Sequence, residues 1–156
     1  MNFDAQLLWD NTEGCGDIAF VSGDFKRGKP IETAVYLSLF CDAKMTDYSK
    51  STDPDSKRGW WGDLVSDGNH VLGSNIWEYE RSKLDQGTIN IIKSYCEIAL
   101  QWMVSDGIVS KIEVDAELSN EQIESPKLAL SIRLYKGDDV LANIRYGDFW
   151  NAQIDD

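Results

Sequence analysis

Polar and apolar residues alternate with period two in two stretches late in the chain. Ile112, Val114, Ala116 and Leu118 interleave with Lys111, Glu113, Asp115 and Glu117, and Leu128, Leu130, Ile132 and Leu134 with Lys127, Ala129, Ser131 and Arg133. Such alternation puts one set of side chains on each face of a strand, so both stretches are predicted to be half-buried strands. Lys136-Gly137-Asp138-Asp139 predicts a tight turn and residues 140–146 the returning strand. Upstream, over residues 88–105, the period is 3.6. Asn90, Ser94, Glu97 and Gln101 fall on one narrow polar stripe. Ile89, Ile92, Cys96, Ala99, Leu100 and Met103 form one apolar stripe, and Ile91, Tyr95, Ile98 and Trp102 a second beside it. Two adjacent apolar stripes predict burial over most of the circumference, hence a central core helix, with Thr88 as N-cap and Asp106-Gly107 as its end.

The first half is less regular. Residues 4–9 read as a short strand followed by turn chemistry at residues 11–17, and residues 18–21 can return on it as a hairpin. Residues 24–30 are polar and basic and read as a loop. Thr33 can cap a short helix over residues 34–41, although the β-branched and aromatic content there also allows a strand. Residues 44–58 read as a long exposed loop. Gly59-Trp60-Trp61-Gly62-Asp63 and Asp67-Gly68-Asn69 are turns, and Ser74 caps a further helix that Gln86-Gly87 breaks. The fold class is therefore α+β: short N-terminal strands, two to three helices around one long core helix, and a C-terminal three-stranded antiparallel sheet. Residues 1–156 are expected to form a single domain, with no internal repeat.

Charge and composition narrow the function. Fifteen Lys and Arg stand against 27 Asp and Glu, a net charge of -12. The excess is spread along the chain, so no separate acidic tail stands out. A chain this acidic lacks the electrostatic footprint for phosphate backbones and is repelled by anionic membranes, so neither nucleic acid nor membrane is an expected partner. The most apolar stretch is interrupted by Lys93 and Glu97, and no secretory signal is visible. Cys15, Cys41 and Cys96 are odd in number and lack metal-ligand spacing, which reads as reduced cytosolic thiols. His70 is the single histidine, and any triad or histidine metal site would have to be built around it. No metal or other cofactor is expected.

Two constellations can carry a contact or a reaction. Trp60 and Trp61 beside Asp63, Asp67 and Glu78 have the residue types of a sugar cleft, in which rings stack on sugars and two carboxyls supply acid and base. The alternative is that the two Trp plug a gap between helices while the glycines permit a tight turn that Asp63 caps. The second constellation is the C-terminal sheet, whose strands over residues 127–135 and 140–146 either offer pairing to a partner strand or form an ordinary edge blunted by charge. Ser131, Arg133, Tyr135, Leu141, Asn143 and Arg145 are the candidate contact positions.

The string Arg58-Gly59-Trp60-Trp61-Gly62-Asp63, preceded by Thr33-Ala34-Val35 with Ser38-Leu39-Phe40, resembles the Mu-like phage baseplate wedge proteins of the gene product 46 type. Gly73-Ser74 with Trp77 and Arg81, the run from Tyr95 to Trp102, and Ser105-Asp106-Gly107 follow in the same order, so the resemblance covers about residues 4–150. That family is similar to the smaller lysozyme-like wedge proteins of contractile tails. The resemblance implies an α+β structural protein of the inner baseplate without a catalytic site. Its implied partners are other baseplate wedge proteins and the tail sheath protein, whose first ring is built onto its strands. It also implies a place in the host cytoplasm during assembly and in the virion tail afterwards. The smaller relatives carry a Glu-Pro-Arg string after the long helix. Ser105-Asp106-Gly107-Ile108 stands there in this chain, so a scaffold contact made by that string does not transfer.

Overall fold

The structure, a computed structural model, describes residues 4–10, 12–13, 15–45, 58–65, 71–79, 82–119 and 127–151. The expectations for the 44–58 loop, for Asp67-Gly68-Asn69, for His70 and for Arg81 fall largely or wholly outside them.

The architecture is α+β. Six short strands open the chain: β1 (Asp4–Ala5), β2 (Leu7–Asp10), β3 (Cys15–Ile18), β4 (Phe20–Val21), β5 (Asp24–Phe25) and β6 (Arg27–Gly28). Helix α1 (Pro30–Phe40) follows, then 3-10 turns at Trp61–Leu64 and Ile76–Tyr79, the long helix α2 (Gln86–Ser105), and strands β7 (Lys111–Ser119), β8 (Lys127–Lys136) and β9 (Asp139–Asn151).

The N-terminal strands pair as three antiparallel ribbons, β1 with β6, β2 with β3 and β4 with β5. The ribbons meet at three residues that bond in a ring: Gln6 N–H donates to Lys26 O, Lys26 N–H to Ala19 O, and Ala19 N–H to Gln6 O. The hairpin expected to return over residues 18–21 thus returns earlier, with Cys15 opposite Asp10 and Ile18 opposite Leu7. The stretch over residues 24–30 is corrected from loop to two strands and the start of α1. Ser22 (φ 53°) and Gly23 (φ 83°) supply the two left-handed residues of the turn between β4 and β5, which is what a tight two-residue hairpin demands.

Pro30 opens α1 at the position where its missing N–H costs no hydrogen bond. Thr33 does not cap the helix. Its hydroxyl donates to Ala5 O at 3.2 Å and ties α1 to β1. The expected helix after Ser74 shrinks to the single 3-10 turn. Gln86-Gly87 is the first turn of α2, not a break, because Asp85 is the cap: its carboxylate accepts from Thr88 N–H at 2.7 Å. That bond holds the Asp85 carboxyl below the usual range. At the far end Gly107 (φ 70°) donates to Val104 O, and Ile108 N–H donates to Met103 O at 2.9 Å. These bonds satisfy the last carbonyls of the helix in a Schellman arrangement.

The C-terminal sheet has the order β7-β8-β9, antiparallel throughout. Its inner face, Val114, Leu128, Leu130, Ile132, Leu134, Ala142 and Tyr146, packs on the buried stripe of α2, Ile89, Ile92, Cys96, Ala99, Leu100 and Met103, with Val35 and Leu39 of α1. Each Val, Leu, Ile or Met among them contributes about 1.5–3 kcal/mol by leaving water. Burial pushes the Cys96 thiol up to about 12, so it is a core residue and not a reactive one.

The second stripe of α2 is corrected. Ile91 and Ile98 face solvent, Ile98 at 66% exposure, while Tyr95 and Trp102 are only half-buried. Tyr95 packs edge-on against Tyr79, and the Trp102 indole donates to Ser38 Oγ at 3.0 Å.

Candidate functional site

Two backbone connections build the surface around the tryptophan pair. Residues 41–43 at the end of α1 lie beside Gly73-Ser74: Ser74 N–H donates to Cys41 O and Ala43 N–H to Ser74 O, each at 2.9 Å. The buried Ser74 hydroxyl donates to Leu39 O at 2.7 Å, one of the carbonyls left open at the helix end. Asn75 then donates to Lys44 O at 3.1 Å, and the Trp77 indole donates to Ala43 O at 2.9 Å.

The Gly59-to-Asp63 string docks on this frame. Arg58 bonds Asp42 at 2.8 Å and its guanidinium lies 4.7 Å from the centre of the Trp77 ring. Gly59 takes φ 106°, close against Lys44, in the region glycine favours. At Gly62 an added Cβ would sit 2.2 Å from the Trp60 ring, so this glycine is there to let the indole lie across the backbone. Asp63 Oδ1 accepts from Leu72 N–H at 3.1 Å and fastens the 3-10 turn to the next segment. It does not cap its own turn, which starts at Trp60 without a side-chain bond.

The string therefore presents its rings outward. Trp60 is 45% and Trp61 73% exposed. Their centroids are 5.6 Å apart with planes inclined by 47°. The reading of two rings plugging a gap between helices is corrected: the interior is filled by the α2 stripe and the inner sheet face instead. Val65 and Val71 are exposed on the same segments, and Val71 and Ile98 line one cleft with Ala43, Asn75 and Trp102. Exposed apolar area of this kind marks a contact surface.

The carboxylates near the rings have structural partners: Asp63 binds Leu72 N–H and Glu78 Oε1 accepts from Asn75 at 2.8 Å. Asp67 lies outside the described residues. Among the described residues no group of three or more His, Cys, Asp or Glu could hold a metal ion. No helix among them is long and apolar enough to cross a membrane. All three cysteines are free thiols.

The sheet positions separate into two kinds. Strand β8 is central, paired on both sides, so partner pairing along residues 127–135 is corrected: both of its edges are already filled. Among the described residues β7 and β9 each keep one open edge. Ser131, Arg133 and Tyr135 instead stand on the outer face, in a charged lattice. Glu113 accepts from Lys111 at 2.6 Å and from the Tyr135 hydroxyl at 2.7 Å, and Arg133 bonds Asp115 at 2.8 Å. These bonds hold the Glu113 carboxyl below its usual range, the Lys111 bond foremost, and raise the Tyr135 hydroxyl. Arg145 lies 3.9 Å from Glu117 across the sheet, and Asn143 is exposed opposite Arg133. Leu141 is displaced: the register shift after Leu134 leaves it unpaired, and it lines a cleft with Ile31 and Met103.

Two features had no weight in the sequence reading. Phe20, Val21 and Phe25 are exposed on the β4–β5 hairpin, with the two rings 4.9 Å apart. The signal was Ser22-Gly23 between β-forming residues. Trp9 stacks on Phe40 at 4.8 Å and meets Tyr146 edge-on at 5.6 Å, and its indole donates to Gly147 O at 2.7 Å. Nothing local to residue 9 signals those partners.

The fold and its surface define a small α+β protein whose glycine-bounded tryptophan pair faces solvent. Residues 31–140 match the family model described as phage protein GP46, and the chain belongs to that family. It is similar to the baseplate protein gp46 of Escherichia phage Mu, with 37% identity over 115 residues, 73% of this chain and 77% of the relative. It is also similar to the Mu-like prophage FluMu protein gp46 of Haemophilus influenzae, with 31% identity over 134 residues, 86% of this chain and 89% of the relative.

Proposed function

We propose that the chain is a structural component of a phage or prophage contractile-tail baseplate. It contacts other wedge proteins and takes part in starting the sheath, assembling in the host cytoplasm and ending in the virion tail. The observation that carries this reading is the outward presentation of Trp60 and Trp61 in a chain similar, over most of its length, to a protein named for the baseplate. Aromatic anchors with exposed aliphatic neighbours are the composition of an interface centre. The edge of β9 left open among the described residues, with Asn143 and Arg145 on its outer face, supports strand addition by a sheath segment. No catalytic role is proposed for Asp63, whose carboxylate accepts from Leu72 N–H, or for Glu78, whose carboxylate accepts from the Asn75 side-chain amide. Deleting the gene should give particles without assembled tails. A deletion strain that makes normal tails overturns the reading.

The exposure of both rings favours one second reading, a carbohydrate-binding surface. The inclination of 47° between the rings gives no flat platform for a sugar chain. Quenching by acrylamide separates the two: rings protected by glycans support carbohydrate binding, and rings protected only within assembled particles support the baseplate contact.

A further inference from the structure

An apolar cleft of about 620 Å³ opens between the start of α1, the end of α2 and the β8–β9 turn, apart from the tryptophan pair. Ile31 and Ala34 come from α1, Trp102 and Met103 from α2, and Ile108 and Leu141 complete the lining. Two local devices create it. The glycine-ended turn after α2 swings Ile108 across the helix terminus, and the register shift after Leu134 brings Leu141 in beside it.

The two charged residues that line the cleft are both basic, with Glu32 beside Lys29 and Asp138 and Asp139 in the turn after Lys136. Lys29 and Lys136 stand at the cleft in a chain of net charge -12, and Lys26 lies three residues before Lys29. Lys29 leans on Glu32 at 3.5 Å, an exposed pair that is weak and easily exchanged. Among the described residues no carboxylate bridges Lys136. An acidic surface elsewhere repels acidic partners, whereas here two ammonium groups flank an apolar floor.

We propose that this cleft docks a segment of a partner protein that inserts one large apolar side chain and carries carboxylates beside it for Lys29 and Lys136. The volume lies within the roughly 300–1,000 Å³ of small-molecule pockets, which leaves room for one large side chain. The apolar floor supplies the affinity, and the cations select the partner by charge. The inference rests on the assembly reading and names the chemistry of one partner within it.

The test uses assembled particles. A photoreactive p-benzoylphenylalanine replaces Ile108, which is already partly exposed, and crosslinked peptides are sequenced by mass spectrometry after irradiation. The expected adduct is a segment of another tail protein in which Asp or Glu stands within a few residues of the captured Leu, Ile, Phe or Trp. A basic or uncharged segment, a second copy of this chain, or no adduct in particles that contain the chain overturns the proposal. Absence of the chain from particles altogether overturns the baseplate reading instead. In parallel, Lys29→Glu with Lys136→Glu should weaken binding of the captured protein about tenfold, with unfolding unchanged because both side chains are exposed. Lys29→Arg with Lys136→Arg should bind as the unaltered chain does. Equal binding by both double variants counts against the charge selection.

Discussion

A methyl group at Gly73 has nowhere to go. Its φ of 101° is a backbone region that side chains avoid, and a Cβ there would lie 2.3 Å from Cys41 O. That carbonyl accepts from Ser74 N–H, so it cannot move aside without losing the join between α1 and the tryptophan frame. Gly73→Ala should therefore cost about 3 kcal/mol, combining φ strain with a clash against backbone, as read by urea unfolding. Asp85 gives a residue-scale prediction with a pH sign. Its carboxyl titrates below the ordinary value because it accepts from Thr88 N–H. A lowered folded value contributes stability above the unfolded value of about 3.9 and loses it as pH falls through the folded value. Asp85→Ala should lower the Tm by a few degrees at pH 7, and the gap to the unaltered chain should close as the pH falls below about 4. A gap that stays constant down to acid pH would mean the carboxylate is not the group that matters.

At the scale of elements, helix α2 separates what periodicity can say from what it cannot. The stripe from Ile89 to Met103 was legible as core because it repeats at helical spacing, and it is buried. The stripe of Ile91, Tyr95, Ile98 and Trp102 is written in the same residue types, yet among the described residues no element covers Ile91 and Ile98. A core stripe and a contact stripe are the same pattern, and only the placement of the other elements tells them apart. Substitution should read the difference directly. Ile92→Ala should cost about 2–5 kcal/mol by opening a cavity, whereas Ile98→Gln should change stability by no more than about 0.5 kcal/mol, both by denaturant unfolding. If Ile98 is part of the contact surface, its substitution should lower incorporation into particles while leaving the fold intact. The strands β7 and β8 were legible for the same local reason as the core stripe. The N-terminal ribbons were legible only in part: the strand over residues 4–9 and its hairpin return were expected, but the other four strands have two residues each and carry no period, and the ribbons are joined by the bonds among Gln6, Ala19 and Lys26. The Trp60–Trp61 string was legible as a turn with something to present, but its exposure was not, since a large ring between glycines fits a plug as well as an anchor.

For the molecule as a whole, the question is what joins the N-terminal ribbons to the helix-and-sheet body. Beyond the Thr33 hydroxyl on Ala5, the join is aromatic: Trp9 stacks on Phe40 of α1 and meets Tyr146 of β9 edge-on, and its indole crosses to Gly147 O. Gly147 lies where the pairing of β8 with β9 shifts register, between Leu130 opposite Tyr146 and Leu128 opposite Trp150. The irregularity therefore falls where the carbonyl is used by Trp9. Gly16 belongs to the same join, since a Cβ there would run into the Tyr36 ring. The exposed Phe20–Phe25 hairpin is tied to the other ribbons through the bonds among Gln6, Ala19 and Lys26, so its position follows theirs. Two substitutions separate stacking from the hydrogen bond. Trp9→Phe keeps a ring against Phe40 but removes the donor to Gly147, and should cost about 1–3 kcal/mol for the carbonyl left without its bond. Trp9→Ala removes both and should cost about 3 kcal/mol or more. If the ribbons are held to the body mainly here, Trp9→Ala should also raise amide exchange selectively over β2 to β5, leaving α2 and the C-terminal sheet protected. Uniform exchange across the chain would show instead that ribbons and body unfold as one unit with or without the indole.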